Sequence, residues 1–178
     1  MFPFTPNITN WTEVASGGVG PTGATGATGP AGPSFAGQGF SVEVGADMPI
    51  TSGFTLVPFD NVNASRGGYT GWFDIPLHTG IIHQTGTYLV TASVDYIHDF
   101  NASIENINLT IKRNGAGGTP LVSNTTHYPS SANDIATLVC TNIVDLDLDD
   151  TLQCYLQCPL TSDQTIGALS RFSCQRLA

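Results

Sequence analysis

Glycine recurs at every third position over six consecutive triplets between residues 17 and 34. These glycines are Gly17, Gly20, Gly23, Gly26, Gly29 and Gly32, and three of the triplets carry a proline directly after the glycine. Three polyproline-II-like chains wind together only where the residue at their crowded axis has no side chain. The period therefore predicts a triple helix, and with it a homotrimer. The alternative is a flexible linker whose spacing is accidental.

The predicted rod is short. Six triplets span about 55 Å at roughly 3.1 Å per residue, and a collagen-like rod of this size has no packed core to offset the entropy of ordering three chains. A second element must therefore set the trimer. We divide the chain into a leader (residues 1–16), the stalk (17–34) and a head (35–178), which is long enough for one domain with a real core.

Composition excludes several classes of function. The chain of 178 residues carries only five Lys plus Arg residues and a net charge of −9, so a phosphate-binding surface for nucleic acid is not expected. No stretch has the length and apolar character of a membrane span. The first 18 residues lack the basic and apolar regions of a secretory signal, so we expect no signal peptide.

From residue 39 onward the apolar pattern has a period of two, which predicts an all-β head. Alternation is clear at Phe40–Val44, at Phe73–Leu77 and, over the longest run, at Tyr88–Tyr96. A further run, 107–111, leads into an Asn-Gly turn. Residues 135–148 are apolar at positions of both parities, which predicts a strand partly buried on both faces. About eight such strands in 140 residues fit a two-sheet jelly roll.

All four cysteines lie in the last 40 residues, at Cys140, Cys154, Cys158 and Cys174. Cys154 and Cys158 share one face of a predicted strand but are too far apart to bond to each other. Buried thiols and one or two disulfides both remain open, and four cysteines allow three pairings. A zinc site is the less favoured reading, because a CxxxC spacing within a strand does not converge on a tetrahedral ion.

The head resembles the globular-head family of complement component 1q, which is similar to the tumour-necrosis-factor jelly roll. The resemblance rests on motifs that occur in the family's order over nearly all of residues 40–178. They are Phe59-Asp60-Asn61, Thr70–Pro76, Gly86-Thr87-Tyr88, Asn114-Gly115, Leu146–Leu152 and Phe172-Ser173-Cys174. The chain departs from the family in a longer segment at 77–85, in Asp149 at a turn glycine and in Cys174 at a strand glycine.

The resemblance implies three heads packed around a threefold axis through apolar side chains. The candidates, each either for that position or for the core of its own subunit, are Phe73, Tyr88, Tyr96, Phe100 and Tyr155. In organisation and in its Gly-Pro-Thr and Gly-Ala-Thr triplets, the chain is similar to collagen-stalked heads on bacterial spores and virus particles.

Three carboxylates, Asp145, Asp147 and Asp149, alternate with apolar residues and are predicted to share one strand face. The resemblance implies calcium near the axis in some family members, and around a threefold axis such rows form rings suited to a hard cation. The favoured alternative is a solvated acidic face or a guarded sheet edge. No other cofactor is predicted.

The histidines are predicted to be loop residues exposed to solvent. Outside the stalk no glycine-rich phosphate loop occurs, and no nucleophile lies in a strand-to-helix turn. We therefore expect no enzyme activity.

Two segments outside the head suggest further roles. Thr22, Thr25 and Thr28 are each third in their triplet and point outward from a triple helix, which makes them candidates for O-linked sugars. The leader carries the apolar residues Phe2, Phe4, Ile8 and Trp11 and is interpreted either as an anchor in a larger assembly or as a disordered terminus.

Together these features predict a non-enzymatic homotrimer with an anchor, a spacer and an outward head. It would decorate the extracellular surface of a virion, a spore coat or an appendage, with an adhesion role that includes surface glycans as partners. The alternative is a soluble lectin-like or receptor-binding recognition module.

Overall fold

The computed structural model describes residues 22–23, 25–26, 38–50, 53–62, 70–98, 105–128, 134–158 and 164–178. The chain divides into two units, Met1–Pro33 and Ser34–Ala178. Within the first unit, the side chains of Thr22 and Thr25 are exposed, as are Gly23 and Gly26. The four apolar leader residues, the other four stalk glycines and Thr28 lie outside the described residues. In the described part of the chain, no helix has the length and apolar content needed to cross a bilayer.

Within its described residues the head contains thirteen strands and one turn of 3-10 helix, Thr70–Trp72. The strands are β1 (Gly39–Glu43), β2 (Met48–Ile50), β3 (Gly53–Leu56), β4 (Asn61–Val62), β5 (Phe73–Asp74), β6 (Thr79–Ile81), β7 (Gly86–His98), β8 (Glu105–Arg113), β9 (Thr119–Tyr128), β10 (Asp134–Leu146), β11 (Thr151–Cys158), β12 (Gln164–Ile166) and β13 (Arg171–Arg176). The count exceeds the eight expected because β2, β4, β5, β6 and β12 are only two or three residues long.

The strands form two antiparallel sheets. In the first, which we call the β7 sheet, β7 pairs with β10 on one side and with β12 and β13 on the other; β13 continues to β1 and β4, and β12 to β2. In the second, the β11 sheet, the order is β5-β6-β11-β8-β9, with β3 also paired to β11. The prediction of an all-β head built from two sheets is confirmed.

The core lies between the two sheets, and strand alternation determines its members. On β7, Tyr88, Val90, Ala92, Val94 and Tyr96 are fully buried. From the β11 sheet, one face of β8 contributes Ile107, Leu109 and Ile111, which are also fully buried. Phe172 packs against Phe40 and Phe59, with ring centroids 4.9 and 5.5 Å away. The alternation predicted on β7 and β8 is therefore confirmed.

The strand predicted over Phe73–Leu77 is wrong beyond Asp74. The chain turns there, because the Asp74 carboxylate accepts a hydrogen bond from the Leu77 backbone N–H at 3.0 Å, and His78 adopts a positive φ of 48°. Ile75 and Leu77 are consequently exposed. Their apolar alternation reflects a turn rather than a buried strand face.

Strand β10 is buried on one face only. Its even-numbered residues Ala136, Leu138, Cys140 and Leu146 are buried, but the odd-numbered face is open. Ile135, Val139 and Ile143 are 65%, 47% and 60% exposed. Burial on both faces is therefore wrong for the single chain, since no element of the described head covers the outer face of this strand.

Candidate functional site

The outer face of β7 and β10 carries alternating apolar and polar pairs. The strand register places Ile135 opposite Ile97, and Ile143 opposite Leu89. Between and beyond these pairs, Thr137 donates to Asp95 at 2.7 Å, Thr141 to Thr91 at 3.2 Å, and Thr87 to Asp145 at 2.7 Å. We call the exposed residues Leu89, Ile135, Val139 and Ile143 the apolar stripe.

Each donating hydroxyl group of these pairs already has its acceptor on the neighbouring strand, while the Asp95 and Asp145 carboxylates keep further acceptor positions for water or for the donors of a partner. A hydroxyl that already donates to a neighbouring acceptor costs little to desolvate, whereas an unpaired polar group costs free energy when buried. The apolar stripe and its hydrogen-bonded flanks are therefore suited to burial against another protein surface. The sequence contained the signal, because Ile135, Val139 and Ile143 follow one another at intervals of four in a strand, which keeps them on one face.

The described aromatic candidates for the threefold axis or the subunit core are all buried. Tyr88 and Tyr96 are fully buried in the core of their own subunit, and Phe73 and Tyr155 are only 4% and 5% exposed; Phe100 lies outside the described residues. The Tyr88 hydroxyl donates to the Gln84 carbonyl at 2.6 Å, and burial raises the pKa of this tyrosine, with a smaller contribution from nearby Cys174. Of the two positions that the sequence left open, Phe73, Tyr88 and Tyr96 occupy the subunit core.

The three aspartates proposed as a metal row do not share a strand face. β10 ends at Leu146, so Asp147 and Asp149 belong to the following turn. Asp147 faces Arg113, with 2.9 Å between Oδ2 and Nη2, and Asp149 has a φ of 69°. Within the residues that the structure describes, no three His, Cys, Asp or Glu side chains converge on a point suited to a metal ion.

A fourth carboxylate, Asp150, is the buried member of this region. Its Oδ2 lies 2.7 Å from Arg113 Nη2 and accepts the Asp147 backbone N–H at 2.7 Å, while Oδ1 accepts the Asn114 amide at 3.2 Å. The hydrogen bonds to Asp150 and then to Asp147 raise the pKa of Arg113. This cluster ties the β10–β11 turn to the β8–β9 hairpin and is structural.

All four cysteines are buried free thiols. Of the two alternatives that the sequence left open, the structure contains thiols rather than disulfides. Burial raises the pKa of Cys140 to about 11, and burial also raises the pKa values of Cys154 and Cys174. Thiols held in the neutral form are poor nucleophiles.

The two described loop histidines bond to the backbone. A ring nitrogen of His78 lies 2.9 Å from the Phe59 carbonyl oxygen. His83 is exposed, as predicted, and its Nε2 lies 2.6 Å from the Gly71 carbonyl oxygen. Its ring also meets Trp72 edge to face, with the centroids 5.1 Å apart. Both rings fasten loops to the head.

The fold of the chain is similar to that of solved structures. The structure of Eiger TNF from S. frugiperda superposes with a TM-score of 0.50, covering 79% of this chain and 92% of that chain at 17% sequence identity. The head has a TNF-like jelly-roll fold. No family model matches the sequence, and no curated protein compared with it matches either. At this identity the likeness concerns the jelly roll alone.

The jelly roll also carries an exposed aromatic group that sequence analysis missed. Phe54 on β3 stacks on Tyr155 of β11, with ring centroids 4.5 Å apart and planes inclined by 10°. Lys112 Nζ of β8 lies 4.6 Å from the Phe54 centroid. No sequence signal marks this group, because its residues come together only through the pairing of β11 with both β3 and β8.

Proposed function

We propose that the chain is a non-enzymatic homotrimeric display protein on a virion, spore or appendage. Residues 1–16 serve as its anchor, the collagen-like stalk is a spacer, and the jelly-roll head faces outward. The observation that carries the proposal is the apolar stripe. Four exposed aliphatic side chains lie on the long strands of one sheet, flanked by threonine hydroxyl groups that already donate across the two strands.

A threefold arrangement accounts for this stripe. In a closed ring each subunit presents one surface to its neighbour, and stable interfaces bury about 1,200–2,000 Å² with an apolar centre. The stripe supplies that centre, and the repeated glycines at 17–34 independently predict three chains. The head interface then provides the stability that a rod of six triplets lacks.

The start of the head is fastened to its last strand. Arg176 Nη1 donates to the side-chain oxygens of Gln38 at 2.8 Å and of Gln84 at 2.6 Å, and the Arg176 backbone N–H donates to the Gln38 carbonyl at 3.0 Å. A tensile force applied to the chain at Gln38 is therefore transmitted to β1 and β13, which lie within the β7 sheet. This arrangement suits a head that is held by its N-terminal end.

The described residues give little support to catalysis. A cavity of about 290 Å³ lies beside the β8–β9 hairpin, lined by Arg113, Asn114, Gly118, Thr119 and Leu121. Its lining combines no nucleophile with a histidine or carboxylate base, which acyl transfer and hydrolysis require. Burial raises the pKa values of Cys140, Cys154 and Cys174. His78 and His83 each have a ring nitrogen within hydrogen-bond distance of a backbone carbonyl oxygen.

The trimer is tested by light scattering on the full chain. We expect a mass of about three times the 18.7 kDa of one chain, and we expect Ile143→Asp and Val139→Asp to reduce it to that of a folded monomer. Leu77→Asp is the matched control, since Leu77 is 63% exposed against 60% for Ile143 but lies in the β5–β6 turn. A wild-type monomer, or an Ile143→Asp variant that remains trimeric, would contradict the proposal.

The anchor is tested separately. Particles from the producing cell are sedimented, and the retained protein is quantified for the full chain and for a chain lacking residues 1–16. We expect the shortened chain to stay in the supernatant as a trimer. Equal retention of both chains would assign attachment to the stalk or the head instead.

A further inference from the structure

An exposed group on the β11 sheet consists of Phe54, Tyr155 and Lys112, and we call it the aromatic platform. Tyr155 lies against the outer face of the β11 sheet and is 5% exposed, while Phe54 covers it and is 45% exposed. The Tyr155 hydroxyl donates to Gln153 Oε1 at 2.6 Å, and Gln153 Nε2 donates to Thr79 at 2.8 Å. The lower ring is therefore fixed, and the upper ring stacks nearly parallel to it.

The outer face of Phe54 is open. Lys112 Nζ is 4.6 Å from the Phe54 centroid and 5.8 Å from the Tyr155 centroid. If Lys112 Nζ lay above the outer face of Phe54, its distance from the Tyr155 centroid would approach the 4.5 Å between the two centroids plus the 4.6 Å from Nζ to the Phe54 centroid. The observed distance of 5.8 Å is much shorter. The ammonium group therefore stands beside the stack, leaving a flat apolar surface with a positive charge at its rim.

Amide and hydroxyl groups surround this surface. Gln157 is paired in register with Phe54 on one side and with Asn108 on the other. Its exposed amide forms no hydrogen bond with the described residues, so it retains both donors and its acceptor. Asn108 and Thr110 already bond to Thr125 and Ser123 of β9. The face is thus a flat sheet of neutral polar groups around one aromatic ring.

The charge of this face differs from that of the whole chain, whose net charge is −9. None of the described outward side chains of β3, β8 and β11 is a carboxylate. Arg113 and Arg171 are paired with Asp147, Asp150 and Glu43, whereas Lys112 has no ion pair with the described residues. One of its donors is bonded to the Ala116 carbonyl at 2.5 Å, which leaves two for a ligand.

We propose that the aromatic platform binds an acidic saccharide. The C–H face of one sugar ring lies on Phe54, the Gln157 amide bonds to its hydroxyl groups, and the sugar carboxylate pairs with Lys112. A flat exposed ring on a sheet offers little enclosure to an apolar peptide side chain, but it matches the flat underside of a sugar, and Lys112 supplies the charge complementarity. This site goes beyond the display function and does not depend on the trimer, although three copies would add avidity.

The test uses the full chain and soluble monovalent oligosaccharides that end in sialic acid or a uronic acid, each with a neutral counterpart of the same linkage. Titration calorimetry should detect the acidic member and give at least about 10-fold weaker binding for the neutral one. Phe54→Ala and Lys112→Gln should each weaken binding of the acidic sugar by about 10-fold or more, and Phe54→Trp should retain it. Leu77→Ala removes an exposed apolar side chain elsewhere and is the control.

Three results would overturn the proposal: no binding by any acidic oligosaccharide, equal binding of acidic and neutral members, or unchanged affinity in Phe54→Ala. Thermal unfolding of each variant confirms that the head is folded. Light scattering on the same samples reports the oligomeric state, so a failure of the trimer and a failure of the saccharide site are distinguished.

Discussion

Arg113 and Asp150 form an ion pair in which the carboxylate is almost completely buried. Their closest atoms, Nη2 and Oδ2, are 2.7 Å apart, and the Asp150 side chain is only 6% exposed. Arg113 Nη2 also reaches Asp147, whose side chain is 69% exposed. One arginine thus has two aspartate partners that differ mainly in burial, and this difference allows the energetic effect of burial to be measured.

We expect Asp150→Asn to lower the free energy of unfolding by about 2–3 kcal/mol, because the buried carboxylate is lost while the donors that it satisfied, Arg113 among them, remain in place. Asp147→Asn should lower it by less than about 0.5 kcal/mol, as is usual for an exposed ion pair. Urea unfolding of the two variants and the wild type gives both values. Equal losses would show that burial does not distinguish the two partners.

Substitution of the neighbouring residue Asp149 tests the effect of backbone conformation in the same turn. Its φ of 69° lies in the left-handed region, which aspartate tolerates but a β-branched residue does not. We expect Asp149→Val to lower the unfolding free energy by about 1–2 kcal/mol. Asp149→Gly should stay within about 0.5 kcal/mol of the wild type, because relief at positive φ is offset by greater freedom of the unfolded chain.

That turn also shows what the sequence could and could not predict. The Asp149-Asp150 turn and the β7 and β8 alternations follow from local rules, since turn residues and two-residue periodicity are readable without tertiary contacts. The burial of Asp150 is not readable, because a charged side chain is predicted at the surface unless its partner is known. Arg113 lies 37 positions earlier and reaches it only through the pairing of β8 with β11.

The exposed outer face of β10 has a different cause. Apolar residues at both odd and even positions of β10 predict burial on both faces. The prediction fails because only one face of this strand is covered by a second sheet.

The aromatic platform was missed for a third reason. Phe54 and Tyr155 are separated by about a hundred residues, and no local pattern indicates that their rings meet.

Gly80 tests packing within the core. A Cβ at this position would collide with the Phe40 ring, and Phe40 cannot move freely because its centroid lies 5.2 Å from that of Phe73 and 4.9 Å from that of Phe172. We expect Gly80→Ala to lower the unfolding free energy by about 1–3 kcal/mol, as overpacking does.

The control for this change is Gly117→Ala in the β8–β9 hairpin, where nothing lies within 4 Å of the added carbon. It should stay within about 0.5 kcal/mol of the wild type. Urea unfolding measures both, and a Gly80→Ala variant as stable as the wild type would mean that the three aromatic rings repack without cost.

The buried thiols predict a loss of stability at alkaline pH. In the folded head, burial raises the pKa of Cys140 to about 11 and raises those of Cys154 and Cys174 as well, whereas an unfolded cysteine titrates near about 8.5. Above that value the unfolded chain releases protons that the folded chain retains. The unfolding free energy therefore falls as pH rises, and the full contribution is present only below about pH 8.5.

For each thiol the decline approaches about 1.4 kcal/mol per pH unit, and it continues up to the folded pKa. Urea unfolding between pH 7.5 and 10.5 measures the slope. Cys174→Ala should make this slope shallower by the contribution of one proton. The stability of the variant at pH 7.5 separately reports the cost of the lost packing. A slope that is the same in Cys174→Ala and the wild type would show that the Cys174 thiol does not remain protonated in the folded head.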